Sequence, residues 1–285
     1  MKSLGTRSEG HPEDLGRSPV CTLIAIHRCV HGAPLVVAAN RDEYYDRPAE
    51  PPALRRPGRD GERDGPIVAP LDLRAGGTWL GVNAMGVFAA VTNLRCSAPD
   101  SARRSRGMVV MDALREGTAA RSADFLKTLS EEAYNPFNCF VADRERAFQL
   151  VYRDVPRLKE LPAGVHVIGN AEPEEEPVPK TERVRAAAEA IAGRARDEVL
   201  GELASVCREH ETEEHGISNT CVHLDTYGTR SSALLLLADD RSASRLWFAD
   251  GPPCQVEYKD FSPLLHEQSL TARYSSGEIA ARTAS

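Results

Sequence analysis

The sequence predicts an α+β domain in which antiparallel sheets are covered by layers of helix. Three observations lead there. Short apolar runs bounded by turn residues open and close the chain, and the apolar spacing changes to a helical period in two stretches between them. No strand–helix alternation of the parallel kind appears, so the order reads strands, two helices, strands, a helical region, strands.

Residues 1–20 are polar, contain Gly and Pro, and carry few large apolar groups. They are expected to be a disordered tail, or to precede the true start of the protein, since a GTG codon for Val20 read as an initiator would yield Met-Cys. Residues 21–28 and 34–39 read as two strands joined through His31-Gly32-Ala33-Pro34, a hairpin connection. Residues 47–66, rich in Pro, Gly and charge, read as a long surface loop. Strands follow at 78–82 and 87–92 around the turn Asn83-Ala84-Met85-Gly86. Apolar residues at helical spacing over 107–134 predict two helices, with Ser122 as a cap for the second. A hairpin is expected at 139–142 and 147–152, a strand near 164–169, and a solvated acidic loop from Glu172 to Pro179. The Ala-, Arg- and Glu-rich stretch 181–210 favours helix. Strands return at 219–225, 231–238, 245–249 and 254–258. One domain is expected over 21–262, with 263–285 as a C-terminal tail.

Apolar content of 41% and charged content of 27% are ordinary for a globular protein. A net charge of -7 argues against a nucleic-acid surface, which needs clustered cations, so Arg103-Arg104-Ser105-Arg106 reads as a solvated loop. No run of 18 apolar residues occurs, so no membrane span is expected, and the first 20 residues lack the apolar stretch of a secretory signal. Seven widely spaced cysteines without a CxxC pair predict free thiols and a cytoplasmic protein. His210 and His215 lie five apart, off the four-residue spacing of a helical metal pair, and no metal or other cofactor is expected. Cys29, Cys96, Cys139, Cys207, Cys221 and Cys254 read as structural thiols.

Cys21 opens a strand-like run, and Asn40-Arg41-Asp42-Glu43 follows one hairpin later. A cysteine there, opposite an Arg-Asp pair, suits an N-terminal nucleophile: the thiol attacks a carbonyl and a freed α-amino group acts as base. Plainer roles stand beside this one. Cys21 can be a small buried hydrophobe, Asn40, Asp42 and Asn170 can close turns, Gly76-Gly77 can serve backbone geometry, and Trp79 can be a core or pocket-wall aromatic.

A set of short segments adds to this reading: Ala38-Ala39-Asn40-Arg41-Asp42-Glu43-Tyr44, Gly76-Gly77-Thr78-Trp79-Leu80-Gly81, Thr92-Asn93, Asn135-Pro136-Phe137-Asn138, Gly169-Asn170 and Tyr227-Gly228-Thr229-Arg230. Together, in this order, they resemble the NRDE family, also called transport and Golgi organisation proteins, over roughly residues 21 to 260. The resemblance implies a fold like that of the N-terminal nucleophile hydrolases, a four-layer αββα sandwich of two antiparallel sheets between helix layers. Family members typically begin Met-Cys, whereas this sequence has 20 residues ahead of Cys21. By similarity to cysteine-type relatives that cleave conjugated bile acids and acylated amines, Cys21 would be the nucleophile. Arg41 would favour the thiolate, Asp42 would orient the α-amine or Arg41, and Asn93 would donate to a developing oxyanion. Asn170 and Arg230 would complete the site, with Arg41 and Arg230 converging near Cys21. The resemblance thus implies a hydrolase of a small amide or thioester; the alternative is a non-catalytic carrier of haem, acyl lipids or acyl-CoA.

Overall fold

In the computed structural model the described residues are 21–56, 65–96, 98–153, 155–173, 179–210 and 219–268. The predicted N-terminal tail, 1–20, lies outside them. The chain enters the fold at Cys21 and runs into β1 (Thr22–Val30). Gly32, at φ 73°, takes the left-handed conformation that a side chain would strain, and turns the chain into β2 (Ala33–Tyr44). β1 and β2 lie in a sheet completed by β10 (Gly164–Ile168), β11 (Tyr227–Leu237), β12 (Arg245–Ala249) and β13 (Lys259–Asp260), in the order β10-β1-β2-β11-β12-β13. The second sheet runs β3-β4-β5-β6-β7-β8-β9 in chain order. Its strands are β3 (Ala49–Arg55), β4 (Ile67–Asp72), β5 (Leu80–Asn83), β6 (Phe88–Asn93), β7 (Phe137–Ala142), β8 (Ala147–Tyr152) and β9 (Arg157–Leu161). All pairings between these strands are antiparallel.

The period-two pattern explains the layers. Along β1 and β2, Leu23, Ala25, Leu35 and Val37 face the second sheet, meeting Val82, Phe88 and Phe140 in a core between the sheets. Their neighbours Ile24, Ile26, Val36 and Ala38 face outward onto α3 (Pro179–Ala192) and α4 (Arg196–Arg208) through Val184, Ala188, Val199 and Leu203. On the far face of the second sheet, Ile67, Ala89, Cys139 and Val141 pack against α1 (Arg106–Ala113) and α2 (Ala119–Lys127). The result is helices, sheet, sheet, helices: the expected four-layer αββα sandwich, with one apolar core between the sheets and one under each helix layer.

Several local expectations are corrected. Residues 47–66 are not a loop throughout, because Ala49–Arg55 forms edge strand β3. Pro51 and Pro52 fall at a register shift between Glu50 and Ala53, the position in a sheet where a missing N–H is tolerated. The second helix is capped by Thr118, whose hydroxyl accepts from the Arg121 N–H. Ser122 sits inside that helix and donates to Ala113 O. No strand forms at 219–225, which follows a turn path to an isolated bridge at His223, or at 254–258, which is also turn. Glu172 is not solvated: it bridges Arg153 and Arg157, and Glu174–Glu176 lie outside the described residues. The fold also runs beyond 262. Residues 262–268 are helical, Leu265 joins the inter-sheet core, and the buried Gln268 amide donates to Pro66 O and Val82 O.

Candidate active site

Strand register builds the site. Thr22 pairs with Asn40 and Leu23 with Ile168, so one further step puts Cys21 beside Arg41, and two put it beside Asn170. The Cys21 thiol is fixed by backbone alone, donating to Asp42 O at 3.5 Å and accepting from the Asp42 N–H at 3.4 Å. It opens into a cleft of about 120 Å³, shared with Arg41, Asp42, Glu43, Asp72, Trp79, Asn93 and Arg106.

Each wall has a local cause. Gly77 and Gly107 meet backbone to backbone: a Cβ on Gly77 would lie 2.5 Å from the Gly107 carbonyl carbon. That contact, with Thr78 N–H donating to Gly107 O at 3.3 Å, brings the start of α1 against the segment after β4 and delivers Arg106 to the cleft. Asp72 ends β4 and receives one hydrogen bond from Arg41 and one from Arg47, each at 2.9 Å. The Arg41 guanidinium lies over the Trp79 ring, 4.3 Å from its centroid. Thr92 and Asn138 both donate to Gly169 O, and Asn138 also to Ala171 O, which pins Asn170 beside the end of β6 where Asn93 is exposed.

The electrostatics oppose a free thiolate. Burial and the Asp42 charge push the Cys21 thiol up to about 12, outweighing the Asp42 N–H and Arg41, which act in the other direction. Arg41 thus has the expected sign of effect but is outweighed. Burial also pushes the Asp42 carboxyl up to about 6, although the Lys180 ammonium, 3.8 Å away, and the Thr229 hydroxyl favour its charged form. Burial raises Asp72 too, but hydrogen bonds from Arg47 and the Ala75 N–H, with the charges of Arg47 and Arg41, hold it below its ordinary value.

Of the six residues singled out in the sequence, Cys21, Arg41, Asp42 and Asn93 line one cleft, and Asn170 lies beside it. Arg230 does not converge with Arg41: it sits at the register shift between Thr229 and Ser231 and pairs with Asp250 at 2.6 Å, outside the cleft lining. Asn40 and Asp42 do not close a turn; they are interior to β2. The Asn40 amide donates to Cys207 O and Thr220 O, both at 2.9 Å. The Asp42 side chain faces Thr229 and Lys180 rather than Arg41, so it does not orient that guanidinium. Arg106 was missed, because a run of arginines in a net-acidic chain reads as solvated. Among the described residues it donates to Pro136 O and has no carboxylate in ion-pair reach. Asp72 and Lys180 carried no local signal, since only the fold brings them to β2.

The sequence model of the family described as Transport and Golgi organisation 2 matches residues 21–246, most of the chain. The chain belongs to that family. Curated family members align over shorter stretches. The human transport and Golgi organization protein 2 homolog is 38% identical over 118 residues, and the mouse homolog 37% over 114. These matches cover 40% and 38% of this chain, and the same shares of the relatives, so this chain spans less than half the length of each. Among solved structures, a Caenorhabditis elegans N-acylethanolamine-hydrolyzing acid amidase ortholog superposes with TM-score 0.51 at 12% identity, covering 76% of this chain and 92% of that one. A mutant conjugated bile acid hydrolase from Clostridium perfringens gives 0.53 at 10% identity, covering 85% and 93%. This family member therefore has the N-terminal nucleophile hydrolase fold.

Proposed function

We propose that the cleft is the active site of an N-terminal nucleophile amidohydrolase or thioesterase acting on a small amide or thioester. The observation that carries this reading is the Cys21 thiol in the lining of a polar cleft, held by backbone just before β1, in a fold whose solved neighbours include a hydrolase of acylated amines and one of conjugated bile acids. With residues ahead of Cys21 its nitrogen is an amide and the thiol, at about 12, stays protonated at neutral pH. Freed, the α-amino group becomes a base of pKa about 7.7–8.0 within the same residue. The thiol proton passes to that amine as sulfur attacks the carbonyl carbon. The Asn93 amide supports the developing oxyanion, a role worth about 10²–10³ in rate elsewhere. The protonated amine then donates to the leaving group, and water releases the acyl group from sulfur. Arg106, which among the described residues has no carboxylate in ion-pair reach although the Glu43 charge acts on it, suits an anionic group on the substrate. All seven cysteines are free thiols, which supports a reducing, cytoplasmic setting. No helix among the described residues is long and apolar enough to cross a membrane.

The carrier reading rests on one observation: the thiol pushed up to about 12 is a poor nucleophile while residues precede it. One pair of proteins separates the two readings. A form beginning at Cys21 should hydrolyse a member of a panel of acylated amines and thioesters, with rate rising through neutrality, and Cys21→Ala should abolish turnover. The full chain should be inactive. No Cys21-dependent turnover in the shorter form, with equal binding of haem or an acyl ligand by both, would leave the carrier.

A further inference from the structure

Outside the lining of the cleft, three chain segments bring two cysteines and two histidines together. The segment just after α4 carries His210, the turn path before β11 carries Cys221 and His223, and the turn after β12 carries Cys254. Cys221 Sγ lies 3.6 Å from Cys254 Sγ and 3.5 Å from His223 Nε2, and His223 Nε2 lies 3.1 Å from Cys254 Sγ. Ligand atoms of His210, His223 and Cys254 all lie within 4.8 Å of one another, and the two imidazoles have centroids 5.4 Å apart. Cys221 touches His223 and Cys254 but falls outside that mutual group, so it and His210 must swing toward each other to share one ion. Cys221 and His223 are two residues apart, and only the fold brings His210 and Cys254 to them.

We propose that His210, Cys221, His223 and Cys254 form a four-coordinate zinc site. Zinc takes thiolate at about 2.3 Å and imidazole at about 2.0–2.1 Å, so a tetrahedron with those arms has edges of about 3.8 Å between sulfurs and about 3.5 Å from sulfur to nitrogen. Two of the three edges given above match within about 0.2 Å on that geometry, and the third closes by a small side-chain rotation. A two-sulfur, two-imidazole set selects zinc over hard cations, which prefer oxygen. The His210 ring supplies an independent sign. Its Nδ1 lies 3.0 Å from Arg208 O, a partner that accepts Nδ1–H and leaves Nε2 to ligate. Metal-bound histidines are oriented in this way.

The scaffold holds the set from three sides. Cys221 N–H donates to Glu209 O at 2.9 Å, tying the turn path to the end of α4. Arg208 Nε donates to Pro253 O at 3.0 Å, tying α4 to the Cys254 turn. Binding releases two thiol protons to solvent, and the two thiolates balance the dication. Because the Thr220 carbonyl beside Cys221 accepts from Asn40, the metal would brace the segment that holds β2 from behind.

The full chain, purified with zinc and dialysed against zinc-free buffer, should retain one zinc per chain by elemental analysis. Cys254→Ser and His223→Asn should each lose it, while Cys29→Ser, at an exposed thiol away from the cluster, should keep it. If a ligand variant fails to fold, the wild-type protein still decides: zinc-edge X-ray absorption should show two sulfur and two nitrogen neighbours. Cobalt exchange should give a thiolate charge-transfer band with tetrahedral visible bands. A metal-free protein, a shell of other composition, or a Cys221–Cys254 disulfide found by peptide mass would each overturn the proposal.

Discussion

The two halves of β2 are equally buried but differ in kind. From Ala33 to Ala39 the strand presents apolar groups alternately to the inter-sheet core and to α3 and α4, while from Asn40 to Asp42 it buries polar groups. Neighbours of similar shape can replace the first half, since dispersion and burial are not directional. The second half depends on particular partners: Asn40 meets two carbonyls, Arg41 meets Asp72 and Asp42 meets Thr229, while Asn40 Oδ1, Arg41 Nη1 and Asp42 Oδ2 are buried without a hydrogen bond. The comparison teaches that burial alone does not mark this site. Burial combined with ionisable groups, at the end of a strand that is otherwise apolar, does.

The largest expected effect lies in the apolar half. Leu35→Ala removes a fully buried side chain between the sheets and should cost about 2–5 kcal/mol by chemical denaturation, with the thiol environment of Cys21 unchanged. Asn40→Ala should follow at about 2–4 kcal/mol, because the carbonyls of Cys207 and Thr220 lose their donor inside the protein. A loss below about 0.5 kcal/mol would show that water replaces the amide, and the contrast between the halves would fail.

Asp42 and Asp72 should give opposite pH responses. The Asp42 carboxyl, at about 6 rather than 3.8, keeps its proton in the fold where the unfolded chain has lost it. Its contribution is therefore present below about pH 4 and lost as pH rises through about 6. Asp72, held below its ordinary value, contributes above that value and loses its contribution as pH falls through its lower folded value. Asp42→Asn should thus flatten the fall in stability between pH 4 and 6, by about 1–3 kcal/mol across the window, while leaving the acid limb below pH 4 in place. An unchanged slope would mean that the Asp42 carboxyl is not perturbed.

Sequence made the apolar half more legible than the polar one, for a physical reason. Alternation and helical period report which face is buried, so the strand pairs around 22–39 and 137–152 and the helices over 106–127 and 179–208 were visible at close to their true positions. Ranges 219–225 and 254–258 looked like strands because they are apolar, yet they are turn paths filled by Cys221, Val222 and Cys254 under tertiary contacts. Edge strand β3 was hidden by Pro51 and Pro52, which only an edge can accept. The motif set pointed to Cys21, Arg41, Asp42 and Asn93 in one cleft, but the same reading put Arg230 there. A bulge after Thr229 rotates that arginine onto Asp250, and a one-residue shift of this kind leaves no mark in composition. Arg106 depended on the Gly77–Gly107 contact, between segments 30 residues apart in the chain.

The smallest effect tests the polar half where it touches chemistry. Asp42 raises the Cys21 thiol and Arg41 lowers it, so their substitutions should move its reactivity in opposite directions. In the full chain, alkylation of Cys21 followed by peptide mass should be about threefold faster in Asp42→Asn than in wild type at pH 8, and about threefold slower in Arg41→Met, the size of a half-unit shift in thiol pKa. The Asp42 effect should also depend on pH. Its carboxyl is charged at pH 8 but mostly neutral at pH 5, below its value of about 6, so at pH 5 wild type and Asp42→Asn should react alike. The guanidinium of Arg41 does not titrate in this range, and its effect should persist at both pH values. A rate gain in Asp42→Asn that is the same at pH 5 and pH 8 would come from loosened packing around the thiol, and would assign the polar half of β2 a steric role in place of the electrostatic one.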